Sequence, residues 1–371
     1  MKYYVIAGEA SGDLHGSNLI KELVKLDGSA NFRAWGGELM QNAGATLVKH
    51  YRDLAFMGFV EVLKNIRVIL KNIDFCKKDI LAYAPDALIL VDYPGFNLRI
   101  AEFAKQKGIK VFYYISPQIW AWKQSRVHKI KRIVDRMFVI LPFEKPFYQK
   151  FDYDVDFVGH PLLDAIEDRS RYIQVTSNKP IIALLPGSRK QEISTMLPLM
   201  LSVKDKFPDH EFVIAGAPSI PLSFYEPYLD GQVKLISGQT YNLLHSATAA
   251  LITSGTATLE AALFEVPEVV CYKGSFLSYH IAKRLIKVKF ISLVNLIMDR
   301  EIVKELIQDE LNPTRIYEEL HHIVFDKAHV SKLKEEYRQL KNLLGGGGAS
   351  YRTAELIHSL SKQNRKSFVH Q

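Results

Sequence analysis

Four short segments of this 371-residue chain collect residue types that move protons or hold anions. The first is Gly8-Glu9-Ala10-Ser11-Gly12-Asp13, where glycines allow close backbone approach and Glu9 or Asp13 can orient sugar hydroxyls or accept a proton. It is not a GxGxxG, and two carboxylates would repel a pyrophosphate; a tight turn with Asp13 capping a helix explains the same residues. The second holds Asp92, in Val91-Asp92-Tyr93-Pro94-Gly95-Phe96-Asn97. Partly shielded by Tyr93 and Phe96, Asp92 could hold its proton more tightly than usual and serve as a general base, or it could be an Asx-turn acceptor. The third, Pro186-Gly187-Ser188-Arg189, puts small residues and a guanidinium where free amides favour anions, which suits a diphosphate. In the fourth, Ser254-Gly255-Thr256-Ala257-Thr258-Leu259-Glu260, Thr256 can cap a helix whose first amides hold phosphate. Glu260, about one turn in, can accept both ribose hydroxyls of a nucleotide, or simply sit favourably near a helix N-terminus.

The elements that must position these segments follow from periodicity. Tyr3–Ala7 runs into Gly8–Asp13 and a helical pattern over Leu14–Leu26; Ile181–Leu185 runs into Pro186–Arg189 and another helical pattern. Each reads as a buried strand, a tight turn and a helix start, the unit that opens a nucleotide-binding α/β domain. Further apolar runs bounded by Pro or Gly, at Ala87–Val91, Val111–Ile115, Met137–Leu141 and Val155–Val158, predict parallel strands in the first half. Glu211–Ala215, Val233–Ile236, Ala249–Thr253 and Glu268–Tyr272 predict them in the second. The polar stretch Asp164–Lys179 reads as a linker. From about Leu296 the pattern is helical to the end, broken by Gly345–Gly348, a hinge or turn and not a phosphate loop. The expected organisation is an N-terminal Rossmann-like domain over residues 1–165, a second over 180–340, and a helical tail over 341–371 free to pack back on the first. The two opening turns are chemically unlike, which suggests one domain for proton chemistry and one for an anionic ligand.

Two segments combine apolar and basic residues. Ser116-Pro117-Gln118-Ile119-Trp120-Ala121-Trp122 lies beside Lys123, Arg126, His128, Lys129, Lys131 and Arg132, a mixture suited to a membrane interface or a phosphorylated amphiphile, or to two rings packed inside the fold. Met57–Phe75 interleaves Lys64, Arg67 and Lys71 with an apolar stripe, as in a helix lying on a membrane or packed on a sheet.

Composition narrows the classes. Hydrophobic content of 48% and charged content of 24% fit a soluble globular chain. No apolar run approaches the roughly 18 residues needed to span a bilayer, and no cleavable leader precedes the first strand. Two distant cysteines, Cys76 and Cys271, imply neither disulfides nor zinc and point to the cytoplasm. A net charge of +8 is compatible with anionic lipid or a phosphorylated substrate; no nucleic-acid motif accompanies it. No cluster has metal-ligand spacing, and His160 stands alone as a structural residue.

Taken together, the motifs resemble the lipid-A-disaccharide synthase family. The matching segments are Ala7–Asp13, Met57–Leu63, Asp92–Asn97, Ser116–Trp122, Leu141–Glu144, Gly159-His160, Leu184–Arg189, Ser254–Glu260 and Val294-Asn295-Leu296, in family order across nearly the whole chain. The resemblance implies an inverting glycosyltransferase of GT-B type, with two Rossmann-like domains facing across a cleft. It implies transfer of 2,3-diacylglucosamine from UDP-2,3-diacylglucosamine to the 6-hydroxyl of 2,3-diacylglucosamine 1-phosphate (lipid X), releasing UDP and forming a β-1,6 disaccharide 1-phosphate. By motif, Asp92 would be an essential carboxylate, with Glu9 and Asp13 also candidates for the base. Arg189, Glu260 and Asn295 would contact UDP, supported by Gly187, Ser188, Gly255 and Thr256. No metal or other cofactor is implied. The protein would sit peripherally on the cytoplasmic face of the inner membrane through Met57–Phe75 and Trp120–Trp122; no oligomeric state follows. Rival readings are a UDP-N-acetylglucosamine 2-epimerase or a transferase with a soluble acceptor, and a non-catalytic nucleotide- or membrane-binding relative.

Overall fold

A computed structural model of the chain describes residues 1–54, 66–166, 171–274 and 288–368. Two compact units emerge: Met1–Asp164 with Leu344–Gln371, and Ala165–Leu343.

In the first unit, seven parallel strands form one sheet: β1 (Lys2–Ala7), β2 (Asn31–Gly36), β3 (Ala45–His50), β4 (Ala87–Val91), β5 (Lys110–Tyr114), β6 (Arg136–Val139) and β7 (Asp156–Phe157). Their order is β3-β2-β1-β4-β5-β6-β7. Helices α1 (Ala10–Leu26), α2 (Glu38–Asn42), α3 (Ile66–Tyr83), α4 (Pro94–Gln106), α5 (Ile119–Trp122), α6 (Val127–Ile133), α7 (Glu144–Gln149) and α8 (Pro161–Ile166) connect and cover them. β4 buries every residue and β1 all but Lys2, which is why both read as unbroken apolar runs: helices cover both faces of a parallel sheet. β1 pairs with β4 in register Ala7↔Val91, so Gly8 and Asp92 leave the sheet side by side where the strand order reverses.

In the second unit, β8 (Ile181–Leu185), β9 (Glu211–Gly216), β10 (Lys234–Ser237), β11 (Ala247–Thr253), β12 (Glu268–Tyr272) and β13 (Lys304–Ile307) take the order β10-β9-β8-β11-β12-β13, the same winding. Its helices used below are α9 (Lys190–Leu201), α10 (Thr240–Ser246), α11 (Thr256–Leu263), α12 (Leu293–Met298), α13 (Pro313–Phe325) and α14 (Lys327–Leu343). β8 and β11 pair as Ile252↔Leu185, which again brings the two candidate turns to one reversal point.

Three sequence expectations need correction. Helix does not run unbroken from Leu296: Lys304–Ile307 forms the edge strand β13, whose Lys304 and Glu305 interrupt the apolar signal because an edge is only half covered. The edge strand β3 is missed for the same reason, and β2, although paired on both sides, because Asn31 and Arg33 punctuate its apolar run. The described part of the linker is no free connector: the Ile173 amide donates to Asn242, the Val175 amide to Ser246, and Tyr172 packs edge-on to Phe264. Residues 167–170 of that stretch, and the Met57–Leu63 motif, lie outside the described residues.

The glycine run is a shaped turn. Gly345, Gly346 and Gly348 have φ of 86°, 69° and 87°, a region costly for other residues. It leads to the C-terminal helix α15 (Ala349–Phe368), which returns to the first unit against α1. Asp164 closes the connection, accepting from the amides of Gly348 (2.6 Å), Ala349 (3.2 Å) and Ser350 (2.8 Å), while Arg352 donates to the Val158 carbonyl at 2.8 Å. Asp164→Ala should leave these amides unpartnered and lower stability by about 2 kcal/mol, read as a reduced thermal midpoint; an unchanged midpoint would refute the assignment.

Candidate active site

The candidate base sits on a strained backbone. Asp92 and Tyr93 both adopt left-handed φ, 46° and 48°, and Ile115, at the end of neighbouring β5, has φ 65°. Three non-glycine residues in this region at adjoining strand ends are unusual, and such strain concentrates at functional sites. The surroundings hold it. The Asp92 amide donates to the Tyr114 carbonyl (3.0 Å), and the Asp92 carbonyl accepts from Asn97 Nδ2 (2.7 Å) and the Tyr113 hydroxyl (2.6 Å). Pro94 then starts α4 with its preset φ. With both backbone groups of Asp92 engaged, the residue lines a pocket of about 230 Å³ together with Ser116, Gln118, Trp122, Leu141 and Glu144. Burial first, and the negative charge of Glu9 second, push the Asp92 carboxyl up to about 6.

Glu9 is the exposed N-cap of α1. Its neighbour Gly8 is irreplaceable on steric grounds: a Cβ there would lie 2.3 Å from the Tyr93 ring, so this glycine lets the two loops touch. Asp13 requires correction. It is 2% exposed, and its carboxylate accepts from the amides of Gly37 (2.7 Å), Leu39 (3.1 Å) and Met40 (3.1 Å). It caps the neighbouring α2 from the first turn of α1, so its oxygens are committed to backbone and it is no candidate for proton transfer.

Glu144 was visible to sequence reasoning only as part of a family motif. Here it is 1% exposed, accepts from the amides of Ile140 (3.1 Å) and Leu141 (2.9 Å), and lines the pocket with Asp92. Burial raises its carboxyl to about 7, against the opposing pull of those amides. A lone glutamate after an apolar strand was the available signal. The two tryptophans, treated alike in the sequence, separate: Trp120 is 8% exposed and packs edge-on to Phe143, whereas Trp122 is 48% exposed and forms a pocket wall.

In the second unit the Gly187–Arg189 turn already holds an anion. The Glu192 carboxylate accepts from the Ser188 amide at 3.2 Å and from Arg189 at 3.1 Å. Gly187, at φ 109°, makes the concavity: a Cβ there would meet Glu192 at 2.7 Å. Arg189 is the exposed N-cap of α9. At the other turn Gly255, not Thr256, is the N-cap of α11, leaving the Thr256 amide in the first turn; Thr258 donates to the Gly255 carbonyl at 2.9 Å. Glu260 accepts from the Tyr241 hydroxyl at 3.3 Å, and burial raises its carboxyl to about 7.

Asn295 also requires correction. It is fully buried, and its amide is saturated: Nδ2 donates to the Val303 carbonyl (2.9 Å) and Glu305 (2.8 Å), and Oδ1 accepts from the amides of Ile302 (2.7 Å) and Val303 (3.0 Å). An amide side chain offers two donors and one carbonyl oxygen, so none of this capacity is left for a nucleotide.

Comparison with known proteins gives the chain its context. The family model described as lipid-A-disaccharide synthetase matches residues 3–358. Curated lipid-A-disaccharide synthases are similar throughout: that of Trichlorobacter lovleyi is 40% identical over 97% of each chain, and that of Coxiella burnetii 37% over 96% of this chain and 97% of the other. Among solved structures, UDP-GlcNAc 2-epimerase from Neisseria meningitidis bound to UDP-GlcNAc superposes with a TM-score of 0.67 at 15% identity, covering 97% of this chain and 100% of that one. The glycotransferase of kitacinnamycin superposes at 0.65 and 15% identity, covering 96% and 98%. At such identities these two likenesses speak to fold alone, two parallel sheets of GT-B type.

Asn295→Ala should cost about 2–3 kcal/mol of stability by orphaning buried backbone groups, seen as an early melting transition. An unchanged transition combined with weakened nucleotide binding would reinstate Asn295 as a ligand contact.

Proposed function

The chain belongs to the lipid-A-disaccharide synthase family, and on that premise we propose that its two units divide one glycosyl transfer between an acceptor side and a UDP side. The reaction moves 2,3-diacylglucosamine from UDP to the 6-hydroxyl of 2,3-diacylglucosamine 1-phosphate, with inversion. The rival epimerase reading finds support only at the level of fold, at 15% identity, against full-length synthase relatives at 40%.

The observation that carries the reading is Asp92, a carboxyl raised to about 6 on a strained strand end that lines a pocket. In the proposed step, Asp92 takes the proton from the acceptor hydroxyl as that oxygen forms its bond to the anomeric carbon. The anomeric carbon–phosphate oxygen bond breaks on the opposite face, and its electron pair leaves with UDP. Arg189, the Ser188 amide and the first-turn amides of α11 receive the developing diphosphate charge, displacing the Glu192 carboxylate that accepts from Ser188 and Arg189. That positive charge lets the route proceed without a metal ion. Glu260 accepts the ribose hydroxyls. A basic, apolar surface supports peripheral attachment to the cytoplasmic face of the inner membrane: the described part of α3 exposes Val68, Leu70, Phe75 and Leu81 beside Arg67 and Lys71. Among the described residues no helix is long and apolar enough to cross a membrane.

The direct test supplies both lipid substrates and follows disaccharide and UDP together. Wild type should form both in equal amounts; a folded protein that forms neither refutes the reading. Asp92→Asn should keep UDP binding and lose about 10²–10⁴ in turnover, and Arg189→Ala should weaken both.

The pH profile follows from the raised Asp92. A base is needed in its ionised form, so kcat/KM should fall as pH drops through about 6. Glu9→Gln removes a like charge, makes ionisation of Asp92 easier and should move that limb to lower pH. An unmoved limb would separate Glu9 from the base.

A further inference from the structure

We infer that Lys123 and Arg126, at the rim of the Asp92 pocket, bind the phosphate monoester of the sugar acceptor. The inference rests on the acceptor assignment above. Trp122 is both a wall of the pocket and the ring over which these cations lie, Lys123 Nζ at 5.0 Å and Arg126 at 5.1 Å from its centroid. Neither has an ion-pair partner among the described residues, whereas Lys129 on the following helix pairs with Glu102 at 2.7 Å and Lys131 donates to the Phe151 carbonyl at 3.3 Å.

The charge layout of the pocket then matches a sugar phosphate end to end. Asp92 and Glu144 bring two carboxyls to the lining, which suits a hydroxyl and repels a phosphate. The phosphate must therefore lie away from them, and Trp122 carries the only cations placed on a lining residue among the described residues. Lys123 is exposed and Arg126 half-buried; a cation over an indole is held weakly, and a phosphate offers it stronger, charge-assisted bonds. Arg126 can engage phosphate oxygens bidentately and Lys123 as a point charge. Binding the phosphate at the rim presents the far side of the sugar to Asp92, so this pair sets both acceptor preference and which hydroxyl is offered.

Phosphate could also come from a phospholipid surface, and the experiment separates the two sources. Turnover is measured in neutral detergent micelles with the acceptor carrying its phosphate and with the dephosphorylated acceptor, for wild type, K123A/R126A and Lys129→Ala. The double variant should lose about tenfold or more of the preference in kcat/KM for the phosphorylated acceptor, mainly through KM, while Lys129→Ala keeps it. Equilibrium dialysis of the phosphorylated acceptor, without donor, should show the same loss, and it reads the rim even if no disaccharide forms; absent turnover with intact rim-dependent binding would fault the reaction and not this site. Sedimentation with anionic phospholipid vesicles completes the set. Retained acceptor preference and binding in the double variant, with or without lost vesicle binding, overturns the proposal.

Discussion

The Asp92 site depends on a strand that must stop at Val91 and turn sharply. β4 is buried on both faces, yet Asp92 and Tyr93 immediately adopt left-handed backbone, at a cost of order 1–3 kcal/mol each. The Tyr114 carbonyl, Asn97 and Tyr113 take up the backbone of Asp92, and Pro94 starts the next helix. The carboxylate accepts from the Tyr93 amide, and both backbone groups of its own peptide are engaged, so the residue is fixed at the pocket. Rigidity of that kind is what a proton acceptor needs, because a small displacement costs rate steeply. Gly8 belongs to the same constraint, since only a residue without Cβ lets the acidic turn reach the Tyr93 ring.

The two units share one winding and use it for opposite charges. Each brings two loops together where the strand order reverses, between β1 and β4 and between β8 and β11. In the first, burial and the negative charge of Glu9 make Asp92 reluctant to ionise. In the second, Arg189 and free amides gather a carboxylate from within the chain. Neither chemistry follows from the fold itself; it lies in the few residues each strand end presents. Membership of the lipid-A-disaccharide synthase family fits that division.

Several polar residues, two of them within the shared motifs, are scaffolding. Asp13 caps α2, Asn295 ties α12 to β13 through Glu305, and Asp164 anchors the start of α15. Each leaves little or no hydrogen-bonding capacity for a ligand. Glu268 sits deeper still: both its oxygens lack partners among the described residues, and burial with nearby Glu305 raises its carboxyl well above the usual range. A buried carboxyl can thus be shaped by the fold as strongly as one that does chemistry, and only its neighbours tell the two apart.

Strands that meet at the reversal points were legible in the sequence because double burial demands unbroken apolar runs: Ala87–Val91 and Ile181–Leu185 read directly. Edge strands β3 and β13 were not, since half-covered positions admit Lys and Glu. The residue types at each strand end, and hence an acidic and a cationic site, were likewise set by sequence alone. What each polar side chain does was decided by packing across distant segments: Asp13 meets the amides of Gly37–Met40, Asn295 meets Ile302–Glu305, and Trp120 and Trp122 part company within one helical turn. A motif specifies which groups are available. Hydrogen-bond capacity is spent only once the tertiary structure brings its partners within 3 Å or so, and that spending separates Asp92 from its acidic neighbours.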